Sequence, residues 1–492
     1  MSFLKKIKKK SGTYVCEVEG YRDEQGRVKH RYIRAVGKLD EKGNLIPRMK
    51  VEDVQATRVN LHGPVHALSR ITEQLGLEDL LEKYAPEVMT LVYSHILRPE
   101  SLNNIKRTIE WLDTDEIGLK LPVSRKRFEN AMDYLTKHIQ RIERGLYSTI
   151  EEHCSLDTLF YDITEIYFYG LSVQMAERGY GTSLPQVGIG LACESDYGIP
   201  LFHHLFDGNV FDARTFPVIL GRLREFKKGP CTLVFDRGIA SKKTITDAMR
   251  SGFSVIACLA LRDTIKQMAL EESRVLGAQH LVKLSSVFIH AREIEAEWGG
   301  ERVRMIICLN KLLQLEIQQN RYYEITEALE KMKRGSKIKE GLKKYITEKD
   351  GELQIDYDVV QDHEKTDGLY VVLTTTAYPV EEVVQKYFER DLIEKSFRSL
   401  KDALAIRPVR HWLTRRIKAH IFICYLAYLH LSWMKMLLKT HDIDMSPVKT
   451  LQKLETIYSV LLIDEKAGAS ITKIVPMTKE QEKIYEALDL LS

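Results

Sequence analysis

The chain has no CxxC pair, and its seven cysteines are an odd number scattered from Cys16 to Cys424. A disulfide framework and a cysteine-based zinc cluster are therefore both excluded, and the thiols read as reduced core residues of a cytoplasmic protein. The N-terminus is basic but lacks the apolar stretch of a signal peptide. No internal repeat or low-complexity tract stands out. Long hydrophobic runs are almost absent. The one that raises a membrane question, IFICYLAYLHLSWMKMLL at 421–438, contains His430 and Lys435 and follows a basic, periodic stretch. It reads as a buried core helix, so no membrane partner is expected.

Strong net charge is missing too: 73 Lys and Arg face 69 Asp and Glu, leaving +4. What is present is local concentration. Residues 1–50 hold 14 Lys and Arg against 6 Asp and Glu, and residues 395–420 hold 8 against Asp402 alone. Two basic segments in a nearly neutral protein suit a polyanion partner. At 492 residues and 44% hydrophobic, the chain has room for two to four domains with sizeable cores.

Texture changes along the chain. Residues 13–38 alternate around a DEQG turn, predicting a basic β-hairpin region over 1–60. From 61 to 150 the period becomes helical. There, LSRITEQLGLEDLL is either a DNA-reading helix-turn-helix or part of a plain helical bundle. Residues 151–262 read as strands LDTLFYDITEIYF, QVGIGLACE and GIPLFHHLF, helix ARTFPVILGRLREF, strand CTLVFD, helix SKKTITDAMRS and strand FSVIACLA. That β-β-β-α-β-α-β order is the order of a ribonuclease H-like fold, an α/β class. Residues 263–380 read as a mixed α/β insertion or partly as extra sheet strands. Closing helices are expected over 381–435, then a helical tail over 436–492.

Three carboxylates occupy telling places. Asp162 lies in the first strand within FYDITEIYF, where an acid is costly unless paired or metal-bound. Asp236 ends the fourth strand in LVFDRG, where Arg237 and Gly238 turn the chain out. In this strand order the first and fourth strands are neighbours, so the two aspartates converge. Glu394 belongs to YFERDLIEKSFRSLK, in which Tyr387, Arg390, Glu394 and Lys401 are spaced Y-x2-R-x3-E-x6-K. At about 100° per residue these four share a helical stripe about 60° wide. Ile393, Phe397, Leu400 and Leu404 form an adjacent apolar stripe for docking to a core. A carboxylate, two cations and a phenol on one flank suit a phosphate and a metal together. Hard oxygen ligands favour two Mg²⁺ or Mn²⁺ ions, which assist in-line phosphoryl displacement.

Asp162, Asp236 and Glu394, with the Y-R-E-K spacing around the glutamate, resemble the bacterial D-D-E insertion-sequence transposases bearing that signature. The wording agrees along about 150–435: YDITEIYF, DGNVFDARTF, LVFDRG, DGLYVVLTT, IRPVRHW and IKAHIFICYLA. The resemblance implies that the three acids hold catalytic metal. It also implies that Tyr387, Arg390 and Lys401 engage the DNA backbone, with Arg398 and Arg237 beside them as further DNA contacts. Family members cut at element ends and attack target DNA with the freed 3′-OH groups. The expected partners are therefore double-stranded DNA, at element ends and target, and a second copy of the chain to pair two ends. Trp298, in AEWGGERV, either stacks on a flipped base or anchors a hairpin. His203 and His204 alternate across a strand and so do not form a metal pair. Two rival readings are a nuclease of the same fold without strand transfer and a DNA-binding derivative without activity.

Overall fold

The computed structural model describes residues 2–40, 42–48, 54–98, 109–167, 177–178, 185–207, 212–226, 230–284, 287–349, 351–398, 413–465 and 469–490. The chain divides into two compact units, one of Met1–Tyr134 with Trp433–Ser492 and one of Leu135–Ser432. The first begins as a four-stranded antiparallel sheet of β1 (Ser2–Lys9), β2 (Gly12–Arg22), β3 (Val28–Leu39) and β4 (Leu45–Pro47). The predicted hairpin is β2–β3. Its turn is closed by Asp23 Oδ1, which accepts from the backbone of Gln25 and Arg27 at 3.0 and 2.9 Å. The lysine-rich opening is a paired strand, β1, and not a solvated tail. Strand β5 (Val54–Leu61) leads into helices Gly63–Gln74, Leu77–Leu81 and Ala85–Leu97, which supply the helical period of the following segment.

The second unit contains one ten-stranded sheet. Strands β6 (Thr158–Tyr167), β8 (Pro185–Glu194) and β9 (Pro200–Asp207) form an antiparallel meander, with two-residue β7 (Glu177–Arg178) also on β8. Helix Asp212–Phe226 then leads to β10 (Thr232–Phe235), and helix Lys242–Arg250 to β11 (Ser254–Leu259). Both strands run parallel to β6, and β10 lies directly between β6 and β11. The predicted element order is thus present, with its first and fourth long strands adjacent. Every residue of β10 is buried, as are five of the six in β11. Strands covered on both faces read as continuous apolar runs, which is why CTLVF and FSVIACL show no alternation.

Much of 263–380 joins this sheet. Past β11 it continues through β17 (Leu369–Thr374), β14 (Glu301–Leu309), β13 (Phe288–Trp298) and β12 (Leu281–Lys283), each antiparallel to its neighbour. Between β14 and β17, helices Lys311–Lys333 and Tyr357–Glu364 flank a hairpin of β15 (Ile346–Lys349) and β16 (Glu352–Ile355). Ile325, Tyr345 and Val360 make a small core there. Strands β12, β13, β14 and β17 are thus the extra sheet strands of the second expectation, and the helices and hairpin between β14 and β17 are mixed α/β.

A buried ionic network fastens the meander to helix Arg125–His153. Glu143, fully buried, accepts from His203 Nδ1 at 2.7 Å and from Arg222 Nη2 at 2.6 Å. Arg222 also donates to the His203 carbonyl at 2.9 Å and stacks over Phe202. His203 is thus a structural residue in an ionic network, consistent with rejecting a His203–His204 metal pair. Helix Thr414–Thr440 is long and apolar enough to cross a membrane, yet 89% of its most apolar window is buried inside the protein. Tyr425 and Tyr428 donate from it to the carbonyls of Pro200 and Gly198, at 3.1 and 2.9 Å, in the β8–β9 connection.

Burial holds His430 on this helix neutral, its pKa pushed down to about 4. The unfolded imidazole takes up a proton below about 6.5 and the folded one only near 4, so stability falls with pH across that window. A His430→Gln variant should escape this loss. Melting temperatures from pH 7 to 4.5 should drop more for the wild type, by the equivalent of up to about 3 kcal/mol; parallel curves would contradict the assignment.

The expected helical tail over 436–492 is corrected, since it also holds two strands. After helix Pro447–Leu454 come β18 (Tyr458–Asp464) and β19 (Ala469–Ile474), and only then helix Lys479–Ala487. Strand β18 pairs antiparallel with both β19 and β5, completing the first unit. The β18 run YSVLLID is short, β-branched and aromatic, and the edge of β5 supplies a distant partner that no local pattern reveals.

Candidate active site

The parallel register decides the placement of the two aspartates. Tyr161 in β6 pairs with Phe235 in β10, so Asp162 and Asp236 occupy the next positions on adjacent strands. Asp162 Oδ1 accepts from the Ile163 backbone at 2.8 Å, and Asp236 Oδ1 from that of Arg237 at 2.7 Å. After Asp236 the chain turns immediately, with the amides of Ile239 and Ala240 bonded to its carbonyl, into the Ser241-capped helix.

The predicted stripe is not one continuous helix. It divides at Arg390 into helix Val380–Glu389 and helix Asp391–Arg398. Around the break the Arg390 and Ile393 amides bond three residues back, to Tyr387 and Arg390, which tightens the turn. The first segment packs on β10, β11, β13 and β17, and the second on β6. Ile393, predicted on the docking flank, is fully buried. Two segments docking over different strands explain why an ideal stripe breaks.

The break directs Arg390 into the centre of the acids. Its guanidinium lies 2.8 Å from Glu394, 3.7 Å from Asp162 and 4.0 Å from Asp236. Burial, reinforced by Asp236 and Glu394, raises the Asp162 carboxyl to about 6 even though the Ile163 amide and Arg390 favour its charge. Three carboxylates gathered around one point thus call for more positive charge than a single guanidinium supplies. The donors are all hard oxygens, the type that suits Mg²⁺ or Mn²⁺, and Arg390 stands between them.

Tyr387 faces inward as well. Its ring stacks with Tyr370 of β17 at 6.2 Å, and its hydroxyl donates to Asp236 Oδ1 at 3.4 Å. The same hydroxyl meets the thiol of Cys258 on β11, a contact with no sequence signal. Burial, with Cys258 and Asp236 adding to it, pushes the phenol far above its ordinary value and keeps it a donor. Tyr387→Phe is expected to slow cleavage of a labelled duplex by about tenfold or less, the worth of one such hydrogen bond, without weakening DNA affinity. A matching loss of affinity would instead mark Tyr387 as a DNA contact.

The remaining candidates are placed as follows. Arg237 is exposed beside Asp236. Arg398 closes its helix, but its side chain lies outside the described residues, as does Lys401 entirely. Trp298 ends β13 at a hairpin whose Gly299 and Gly300 adopt φ of 67° and 90°, as a two-residue turn requires. A Cβ on Gly299 would stand 2.7 Å from Thr246 of the helix that follows Asp236. By register Cys258, Val372 and Ile306 stand level with Asp236, so the tip at Gly299 and Gly300 lies toward the opposite, Thr232 end of the sheet, and no described contact links Trp298 to the acids.

Residues 158–429 match the family described as transposase DDE domain, and residues 4–52 match the N-terminal domain of the IS1634 family of transposases. No curated protein matches the chain. Among solved structures, a piggyBac transposase synaptic complex with hairpin DNA aligns at 9% identity and TM-score 0.40, over 80% of this chain and 76% of that one. So slight a likeness carries no weight for mechanism. The first match spans more than half of the chain and includes both aspartates, Arg390 and Glu394: this protein belongs to the insertion-sequence DDE transposases.

Proposed function

We propose that the chain cuts DNA at the terminal inverted repeats of its own element and transfers the freed 3′-OH ends to target DNA, using a ribonuclease H-like catalytic domain. The observation that carries this reading is the convergence of Asp162, Asp236 and Glu394, from two adjacent parallel strands and a docked helix, upon Arg390. Strand order β9-β8-β6-β10-β11 supports the fold assignment. Asp162, Asp236 and Glu394 would hold two divalent ions, which when bound supply Lewis-acid activation of the attacking oxygen and charge relief for the leaving one. The chain's own residues do the rest. The backbone amides of Ile163 and Arg237 fix the two aspartates, and Tyr387 steadies Asp236. Arg390 neutralises the acids and is assigned, with Tyr387, a contact to a DNA backbone phosphate. Arg237, Arg398 and Lys401 are assigned further contacts to the DNA backbone, and Trp298 is assigned stacking on a base.

End recognition is assigned to the basic sheet of 1–60 and the helical region of 61–150, and pairing of two ends to a homodimer. The test is cleavage of a labelled duplex carrying the element's end, with Mg²⁺, with Mn²⁺ and with chelator. Metal-dependent nicking at the repeat boundary followed by joined products supports the reading. Nicks that never become joined products would leave a nuclease, and binding without cleavage an inactive derivative.

A further inference from the structure

A second group of metal-type ligands is assembled in the unit of Met1–Tyr134 and Trp433–Ser492. His62, Asp113 and Glu116 each bring a donor atom within 4.8 Å of the others. His62 Nδ1 stands 2.9 Å from Glu116 Oε1 and 3.8 Å from Asp113 Oδ2. Nδ1 is thus ion-paired to the two carboxylates, whereas Nε2 of the same ring is buried without a hydrogen-bond partner. With the residue only 3% exposed, that arrangement is costly unless another group meets the ring.

The surroundings point the same way. A cleft of about 460 Å³ opens onto the three residues. Asp113 is held in place by the Ser459 hydroxyl at 2.6 Å and the Asp115 amide at 3.3 Å, an outer shell of the kind that orients ligands. Arg58, the cation lining the cleft, is engaged by Thr114 Oγ1 at 2.9 Å and Asp115 at 3.6 Å. One turn beyond His62, His66 has its ring centroid 5.0 Å away and a buried Nδ1 that is also without a partner.

We propose that His62, Asp113 and Glu116, with His66 as a fourth donor within reach, form a second divalent-metal site. Its mixed nitrogen and oxygen set suits Zn²⁺ or a similar transition ion over Mg²⁺. The ion would pin the start of helix Gly63–Gln74 to the segment carrying Asp113 and Glu116, far along the chain from Asp162, Asp236 and Glu394. The site is independent of the cleavage chemistry.

The test uses the full chain carrying Asp162→Asn, Asp236→Asn and Glu394→Gln, so that the other acids take up little metal. Zn²⁺ content after equilibrium dialysis and the visible absorption of added Co²⁺ are the readouts. About one Zn²⁺ per chain is expected, with affinity falling at least about tenfold on adding Glu116→Gln and more on adding His62→Asn. Glu116 is partly exposed, so its variant decides the matter if the His62 variant fails to fold. Absence of stoichiometric Zn²⁺, or uptake unchanged by Glu116→Gln, would overturn the proposal and leave an ion-paired histidine.

Discussion

Asp162→Asn is expected to suppress DNA cleavage by at least about 10³-fold while making the metal-free protein more resistant to heat. The first effect follows from removing one anionic ligand from a three-carboxylate set, and 10³ corresponds to about 4 kcal/mol of transition-state stabilisation. The second follows from burial: the folded carboxyl sits at about 6 against an ordinary 3.8. Raising an acid's pKa on folding penalises its charged form, so the cost is absent below 3.8, grows between the two values and is complete above about 6. At neutral pH it is on the order of 3 kcal/mol, and the neutral amide avoids it. Single-turnover cleavage and melting curves check both arms, and saturating Mg²⁺ should narrow the stability gap by favouring the wild type. A variant that lost both activity and stability would show Asp162 to be structural. Opposite movement of the two quantities is the mark of a site held in a strained charge state for function.

Glu143→Ala should give the largest loss of stability of any single substitution considered. It removes the one carboxylate that satisfies the buried Arg222 and His203 together, leaving a guanidinium stranded among Phe202 and Phe226. Breaking such a pair costs about 3–5 kcal/mol, equivalent to a fall in melting temperature on the order of 10 °C. Replacing both partners, as in Glu143→Leu with Arg222→Met, should recover much of the loss, because the penalty lies in the unpaired charge. Equal destabilisation by the single and double variants would show instead that packing matters more than charge. Glu143 itself carries no sequence signal: IQRIERGLY has the look of any charged helix, and its partners lie 60 and 79 residues away.

How legible each feature was depends on the range of the interaction that makes it. Alternation and apolar runs are local, so the strands around Asp162 and Asp236 and the helices between them could be read directly. The chirality and adjacency of parallel connections then made the two aspartates neighbours, and the register of Tyr161 with Phe235 bears this out. The stripe of Tyr387, Arg390 and Glu394 was legible as spacing but not as geometry. Docking on different strands broke the helix at Arg390, yet Tyr387 still reaches Asp236 and Arg390 reaches Asp236 and Glu394, so the three remain on one site.

By itself, then, the sequence determined the order of elements, the acids that end adjacent strands and the signature that assigns the chain to its family. These rest on periodicity and short-range sterics, which act within a few residues. Only the tertiary structure decided that 263–380 extends the main sheet, that Glu143 joins His203 and Arg222, and that β18 closes on β5 from the other end of the chain. Those contacts stabilise through burial and pairing between distant segments, and which edge or charge finds which partner is settled only when the whole core is assembled.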